Sequence, residues 1–326
     1  MKTPGPEKRD PRTPDLVIGL NAVIMAGRED LPLVLVIEPE NAPCALPFGL
    51  FEPEAHRTFE LALRDFVKDQ TGFDLDYVEQ LYTFGDRGRE APLAALKGAE
   101  TARVISVGYL GLAREPKPLP AGGGVWADWY RFFPWEDWRE GKPALIAERI
   151  EPALRAWARQ PKAPAQREAR WDRACLAFAC DEAEWNEERA LDRYELLYEA
   201  GLVAEAAHDH GGKPQDGLGE RMASDHRRIL ATAISRLRAK IKYRPVLFEL
   251  APERFTLGGL QRMTEAIIGV RLHTQNFRRA LDKSELVEGT GATTSATGGR
   301  PAELFRLRPE ALRDRPSAGI ATPRLR

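Results

Sequence analysis

The chain has 326 residues, enough for two domains at ~100–200 residues each, and its 43% hydrophobic content excludes wholesale disorder. No apolar run reaches the ~18 residues needed to cross a bilayer, and Cys44, Cys175 and Cys180 make no disulfide framework, so a cytoplasmic protein is expected. The net charge of −1 hides an asymmetry: residues 225–313 carry 17 Lys and Arg against 9 Asp and Glu, while 1–224 carry 28 against 39. A basic C-terminal unit behind an acidic body favours contact with nucleic acid; a solvated basic surface is the plainer alternative.

Residues 1–14 read as a flexible arm, charged and proline-rich, with no secretory h-region after them. Asp15–Ala26 and Leu31–Ile37 are rich in Val, Ile and Leu and flank a turn-like Gly27-Arg28-Glu29-Asp30, the pattern of a β-hairpin. Leu46-Pro47-Phe48-Gly49 is a short turn-flanked piece. Thr58–Thr71 predicts a helix, because Phe59, Ala62, Leu63, Phe66 and Val67 form one apolar stripe and Gly72 suits its C′ position. Tyr77–Phe84, Arg103–Leu112 and Trp126–Phe133 read as strands, with Gly85–Glu100 a charged loop. The order β-β-α-β-β-β implies a mixed sheet covered by helices.

Residues 134–224 change character. Helical stretches, Ile146–Gln160 and Ala183–Ala200, alternate with polar breaks at Gln160–Gln166 and Gly211–Gly219. All seven tryptophans fall between Trp126 and Trp185, and an aromatic core explains them better than a stacking pocket for bases. Cys175-x4-Cys180 with His208-x-His210 matches no standard zinc spacing and is read as two buried thiols and a surface loop. Gly122-Gly123-Gly124 lacks the Lys-Ser/Thr of a P-loop and is a turn.

Asp225–Tyr243 predicts a strong amphipathic helix. Ile229, Leu230, Ala233, Ile234, Leu237 and Ile241 keep a helical period, and the other face carries Arg227, Arg228, Arg236, Arg238, Lys240 and Lys242. The apolar face needs a partner, for which the Trp-rich segment is the nearest candidate. Two helices follow, Phe255–Ile268 with Thr256 as N-cap and Thr274–Leu281 capped by Thr274, joined by the short Gly269–His273. The second packs through Phe277, Ala280 and Leu281 and leaves Gln275, Asn276, Arg278, Arg279 and Lys283 for outside work. Amides and guanidinium groups match adenine and guanine edges in the major groove. Leu286–Leu307 reads as strand, long turn over Gly289–Gly299, strand, with Arg300 after the turn placed for a phosphate or the minor groove. The whole has the order of a winged helix-turn-helix.

The segment from Leu46 to Gly72 resembles the Nudix box, a loop–helix–loop whose helix bears Arg-Glu and then Glu-Glu. Glutamates at i, i+3 and i+4 share one helix face and there hold divalent ions that bridge a diphosphate. Aligned on Thr71-Gly72, Asp65 takes the Arg slot, Phe66 the first Glu slot, Asp69 the second and Gln70 the third. That box is degenerate, and no metal site and no catalytic residue are expected. Together with Thr83-Phe84-Gly85-Asp86, Phe248–Leu257, Asn276-Phe277-Arg278-Arg279 and Gly299-Arg300-Pro301-Ala302, it resembles the Nudix-related transcriptional regulators of NAD metabolism (NrtR/NadQ-like), over about 15–134 and 225–312. The Trp-rich middle departs from the shorter members and looks more like the NadQ-type subgroup.

The resemblance implies an α+β fold: a Nudix-like mixed-sheet α/β/α sandwich, a helical insertion and a C-terminal winged helix-turn-helix. The divisions expected are a sensor domain over 15–134, an insertion over 135–224, a connecting helix over 225–244, a winged helix over 245–313 and a flexible tail over 314–326. It implies a homodimeric repressor on palindromic double-stranded DNA. No cofactor is required, and the effector is an NAD-related nucleotide (ADP-ribose, NAD or ATP). The residues expected at DNA are Thr274, Gln275, Asn276, Arg278, Arg279, Lys283 and Arg300. Those expected at the effector are Phe48, Arg57, Asp86, Arg87, Arg103 and Tyr109. The connecting helix would carry effector-driven motion to the reading head. The rival function is an active hydrolase of ADP-ribose or a related nucleoside diphosphate, using Asp65 and Asp69.

Overall fold

The computed structural model describes residues 16–28, 30–86, 103–120, 122–213, 215–242, 245–295 and 301–308. Strands β1 (Leu16–Arg28) and β2 (Leu31–Val36) form the expected hairpin, with Met25 opposite Val34 and Arg28 opposite Leu31. The short β3 (Phe48–Leu50) pairs with the first half of β1, on the side whose second half β2 occupies. Helix α1 (Phe59–Thr71) follows, then β4 (Tyr77–Phe84), β5 (Arg103–Ala113) and β6 (Val125–Asp128). The sheet runs β4-β5-β1-β2-β6, with β1 and β5 parallel and the other pairs antiparallel.

The thirteen-residue β1 is buried on both faces, which is why it reads as a nearly continuous apolar run. Its side chains alternate between two cores. Leu20, Ala22 and Ile24 join Ala62, Leu63 and Val67 of α1 on one face; Val23 and Met25 join the large core on the other. Helix α1 begins where Thr58 accepts a hydrogen bond from the Leu61 amide (3.2 Å) and ends at Gly72 in the left-handed conformation (φ 67°). Sequence pattern and structure agree on this element because both caps are local.

The strand expected over Trp126–Phe133 stops at Asp128. The Asp128 carboxylate accepts from the Tyr130 amide (2.9 Å) and turns the chain into a 3₁₀ turn, Trp129–Arg131, that drives Trp129 into the core. The insertion holds a π turn (Ile146–Ile150) running into α2 (Glu151–Ala158), then α3 (Pro164–Phe178), α4 (Ala190–Glu199) and α5 (Ala204–His210). Helices α3 and α5 were not expected, and the helix expected over Ala183–Ala200 starts only at Ala190. Proline opens α3 at its first position, where a missing N–H costs nothing, so Gln160–Gln166 is half break and half helix start. The tryptophans serve packing: Trp129, Trp135, Trp157 and Trp185 are buried, and Trp138 stacks on Trp185 with ring centroids 4.2 Å apart. Cys180 is buried as expected, but Cys175 is only half-buried, with its thiol 3.4 Å from Asp181 Oδ2.

Helix α6 (His226–Ile241) keeps its apolar face, Ile229 to Ile241, fully buried. Its partner is not the insertion alone: it lies between α4 and the face of the sheet formed by β1, β4 and β5. The sheet thus carries α1 on one face and α6 on the other, an α+β sandwich with the Nudix-like layer order. The C-terminal unit contains α7 (Leu257–Ile268), α8 (Thr274–Ser284), β7 (Val287–Thr294) and β8 (Ala302–Leu307), with Phe255 bridging Phe305 as a third rung. The turn expected from Gly289 is shorter than the composition suggests, because β7 continues through Gly289–Thr294. Among the described residues no helix is long and apolar enough to cross a membrane.

Candidate nucleic-acid interface

Helix α7 is capped by Thr256, whose hydroxyl accepts from the Gly259 amide (2.9 Å), and closes at Gly269 (φ 80°). Gly269 is required twice over. Its conformation is left-handed, and a Cβ there would stand 2.3 Å from the Glu136 carbonyl oxygen. The turn is then held by Glu265, a buried carboxylate that accepts from the Leu272 amide (3.0 Å), from Gln261 Nε2 (2.8 Å) and from Arg271 Nη1 (3.1 Å). Gln261 Nε2 also reaches Thr274 Oγ1 (3.2 Å). The N-cap of α8 is therefore His273, without a side-chain cap; Thr274, expected to be the cap, is the first helical residue, its hydroxyl facing α7.

Phe277 and Leu281 fasten α8 to the core at zero exposure. The helical period then leaves Thr274, Gln275, Asn276, Arg278, Arg279 and Lys283 exposed on one surface. Arg278, Arg279 and Lys283 form no ion pair with any described residue. Arg300 lies outside the described residues.

The basic face of α6 is built in the opposite way. Arg227 and Arg238 have zero exposure, and each of the six cations meets an acid. Arg227 pairs with Glu205 (3.1 Å), Arg228 with Asp86 and Asp225, and Arg236 with Glu79 (3.3 Å). Arg238 pairs with Glu136, Lys240 with Glu79, and Lys242 with Glu187 (3.0 Å). The C-terminal charge excess thus overstates the cation available to a partner: every Arg and Lys side chain of α6 is paired, and Arg227, Arg238 and Lys240 are buried while Arg236 stays exposed.

At its centre Glu136 accepts from two buried guanidinium groups. Arg193 donates to both carboxylate oxygens, through Nε (2.5 Å) and Nη2 (2.8 Å), and Arg238 Nη1 donates to Oε2. Burial alone would raise the Glu136 carboxyl, but Arg193 and Arg238 outweigh it and hold the pKa below the ordinary value. Arg238 Nε also donates to the Ile267 carbonyl (2.9 Å) and Tyr130 Oη to the Ala266 carbonyl (2.7 Å), while the Trp138 amide donates to Gly269 O (2.7 Å). These groups satisfy the last carbonyls of α7 and join the turn of the helix-turn-helix to the insertion and to α6. Sequence reading missed Glu136, Gln261 and Glu265. Only the i, i+4 pair Gln261–Glu265 had a local signal.

The positions aligned with the Nudix box lie on α1. Asp65 and Asp69 are exposed one turn apart, and Asp65 stands 3.8 Å from His56 Nε2. Phe66 packs against Gly49 so closely that a Cβ at Gly49 would lie 2.8 Å from its ring. The Gln70 amide clasps β3, accepting from the Phe48 amide (3.3 Å) and donating to the Phe48 carbonyl (2.6 Å). A carboxylate there could accept but not donate. Among the described residues no group of three or more His, Cys, Asp or Glu side chains is placed to hold a metal ion.

Of the residues expected at the effector, Asp86 and Arg103 lie near each other where β4 ends and β5 begins: Asp86 pairs with Arg228, and Arg103 Nη2 donates to the Gly85 carbonyl (3.0 Å). Tyr109 lies six residues along β5 from Arg103, ~20 Å at the rise of a strand. It belongs to the core under α1, and burial raises its hydroxyl pKa, with Glu60 adding to the shift. Phe48 faces the other side, its ring edge on His226 (5.4 Å). Arg57 is exposed in the turn before α1. Arg87 lies outside the described residues.

Residues 247–307 match the family model described as the NrtR DNA-binding winged helix domain. The C-terminal unit is an NrtR-type winged helix. A curated relative, the ADPR responsive transcriptional repressor NtrR of Acinetobacter baylyi, is 40% identical over 86 residues, 26% of this chain and 34% of the relative. The chain is thus matched over about a third of that relative's length. Among solved structures, Shewanella oneidensis NrtR complexed with a 27mer DNA superposes at TM-score 0.50, with 18% identity, over 90% of this chain and 94% of that one. A MutT/nudix family protein from Enterococcus faecalis gives TM-score 0.53 at 16% identity, over 93% and 90%. At these identities the likeness is one of fold: a Nudix-like sheet followed by the NrtR-type winged helix, whose matched residues 247–307 contain α7 and α8.

Proposed function

We propose that the chain is a DNA-binding transcriptional regulator of NAD metabolism genes, acting as a repressor, whose Nudix-like domain responds to an NAD-related nucleotide. The observation that carries this reading is the exposed set Gln275, Asn276, Arg278, Arg279 and Lys283 on α8 of an NrtR-type winged helix, three of them cations that no described acid pairs. The matched relative is an ADPR-responsive repressor, which makes ADP-ribose the first effector to try. The sensor domain is taken as 15–134, the insertion as 135–224, the connecting helix as 225–244 and the winged helix as 245–313. Thr274 and Arg300 complete the DNA-facing set, and the active species is a homodimer on a palindromic site.

The Nudix-like domain binds without turnover in this reading. Phe66 fills its slot with a ring packed on Gly49, and Gln70 is engaged with the β3 backbone, so neither offers a carboxylate to magnesium. Of the residues assigned to the effector, Asp86 and Arg103 form the coherent pair; Phe48, Arg57, Arg87 and Tyr109 remain individual candidates. The experiment is selection of a duplex from a random library by the full chain, followed by mobility shift with ADP-ribose, NAD and ATP. A selected palindrome whose binding changes with one nucleotide, and no magnesium-dependent release of AMP from ADP-ribose, is the expected result. Failure to select any duplex would sink the regulator reading, and robust AMP release abolished by Asp69→Ala would establish the hydrolase instead.

A further inference from the structure

Between the sheet and the winged helix lies a cleft of about 670 Å³, within the ~300–1,000 Å³ range of small-molecule sites. Both units line it. Arg28 comes from the end of β1 and Arg114 from just after β5; Arg254 and Arg262 come from the start of the winged helix. Two acids, Asp30 and Glu115, also line the cleft. Asp30 sits 3.7 Å from Arg262 Nε, whereas Arg28, Arg114 and Arg254 form no ion pair with any described residue. The opening turn of α7, from Thr256 to Gly259, adds its N-terminal dipole to the same wall. Phe255, Leu260 and Met263 supply an apolar floor. That floor is tightly closed: a Cβ at Gly27 of β1 would stand 2.5 Å from Met263 Sδ.

We propose that this cleft binds a small di- or triphosphate anion, free pyrophosphate or the phosphate chain of a nucleotide. Four arginines against two acids around one concave site raise its positive potential, and an anion carrying several charges relieves it. Planar guanidinium forks also match phosphate oxygens two at a time. The occupant is a small molecule and not a duplex, whose major groove alone is ~12 Å wide. No residue of α8 lines the cleft, and none of α1 does, so the site is separate from both the reading helix and the box face. Because two arginines come from the sheet side and two from the winged-helix side, the ligand holds the two units in their present docking. It acts on DNA binding only as far as its affinity differs between docked and undocked forms. The inference goes beyond the regulator reading and does not need it.

The test is isothermal titration of the full chain with pyrophosphate and with ATP, without magnesium. The expected result is one pyrophosphate site per chain, weakened at least tenfold by Arg28→Ala with Arg114→Ala and by Arg254→Ala alone, and retained in Gln70→Ala, with ATP binding at the cleft weakened by the same arginine variants. All three arginines are exposed, so the variants should melt with the parent, which circular dichroism checks. Absence of binding, or binding indifferent to the cleft variants, overturns the proposal. So does a duplex affinity that falls as far in Arg28→Ala/Arg114→Ala as in Arg278→Ala/Arg279→Ala while pyrophosphate does not bind, because the cleft would then be gripping DNA phosphates. A protein that shifts DNA but ignores both anions fails here and leaves the regulator reading intact.

Discussion

Helices α6 and α8 carry similar basic side chains and use them differently. On α6 Arg227 and Arg238 are sealed in the core, where Glu205 and Glu136 meet them. On α8 Arg278 and Arg279 stand in solvent with no acid among the described residues. The difference lies in what surrounds each helix. α6 is enclosed by the sheet and by α4, so a cation on either flank meets an acid or pays the full desolvation of a buried charge. α8 is fastened through buried Phe277 and Leu281, with Ala280 beside them and Thr274 bonded to Gln261, and its side bearing Gln275 to Lys283 is exposed. Charge along a helix therefore reports an interface only when the helix has one unpacked side.

The comparison breaks most severely at Glu136. Glu136→Gln leaves Arg193 and Arg238 buried without the carboxylate they share. A loss of about 3–5 kcal/mol is expected, the range for removing one partner of a buried pair. Urea unfolding of the full chain measures it; a variant as stable as the parent would show that the ionic layer is not a structural joint.

A smaller loss is expected from acid at the head of α6. His226 is fully buried, and burial pushes its pKa down to about 4. Its Nδ1 accepts from the Leu46 amide (2.9 Å), and Nε2 has no partner among the described residues, so the ring is neutral in the fold. The unfolded chain takes up the proton first, near pH 6.5. Stability is then complete above that pH and falls as the pH drops from about 6.5 towards 4, by about 3 kcal/mol. Unfolding free energies measured from pH 7.5 to 4.5 should show this slope, and His226→Asn should flatten it.

The smallest effect concerns the box. Gln70→Glu sets a carboxylate against the Phe48 carbonyl and removes the 2.6 Å donor contact. The site is exposed, so a cost of about 0.5–1.5 kcal/mol is expected, read by thermal melting. A more stable variant would mean that the amide is not needed to hold β3.

Elements whose signals are local were legible in the sequence. The β1–β2 hairpin, α1 with its Gly72 cap, β4, β5 and α7 need only periodicity and cap chemistry, although Thr58, read as the start of the helix, is its N-cap. The exposed face of α8 was legible for the same reason. What was not legible depends on partners far along the chain. Trp126–Phe133 alternates like a strand, yet Asp128 ends it because the core has room for Trp129. Arg238 carries the periodicity of a polar face, but its acid, Glu136, is about a hundred residues earlier. The cleft arginines are scattered from Arg28 to Arg262, and no spacing joins them.

The central claim is that α8 reads DNA while the cations of α6 serve the fold. Fluorescence anisotropy of a selected duplex with full-chain Arg278→Ala/Arg279→Ala measures it directly. At ~1–3 kcal/mol per base contact, the double variant should bind roughly 30-fold or more weakly, with its unfolding midpoint unchanged. Affinity equal to that of the parent would contradict the account.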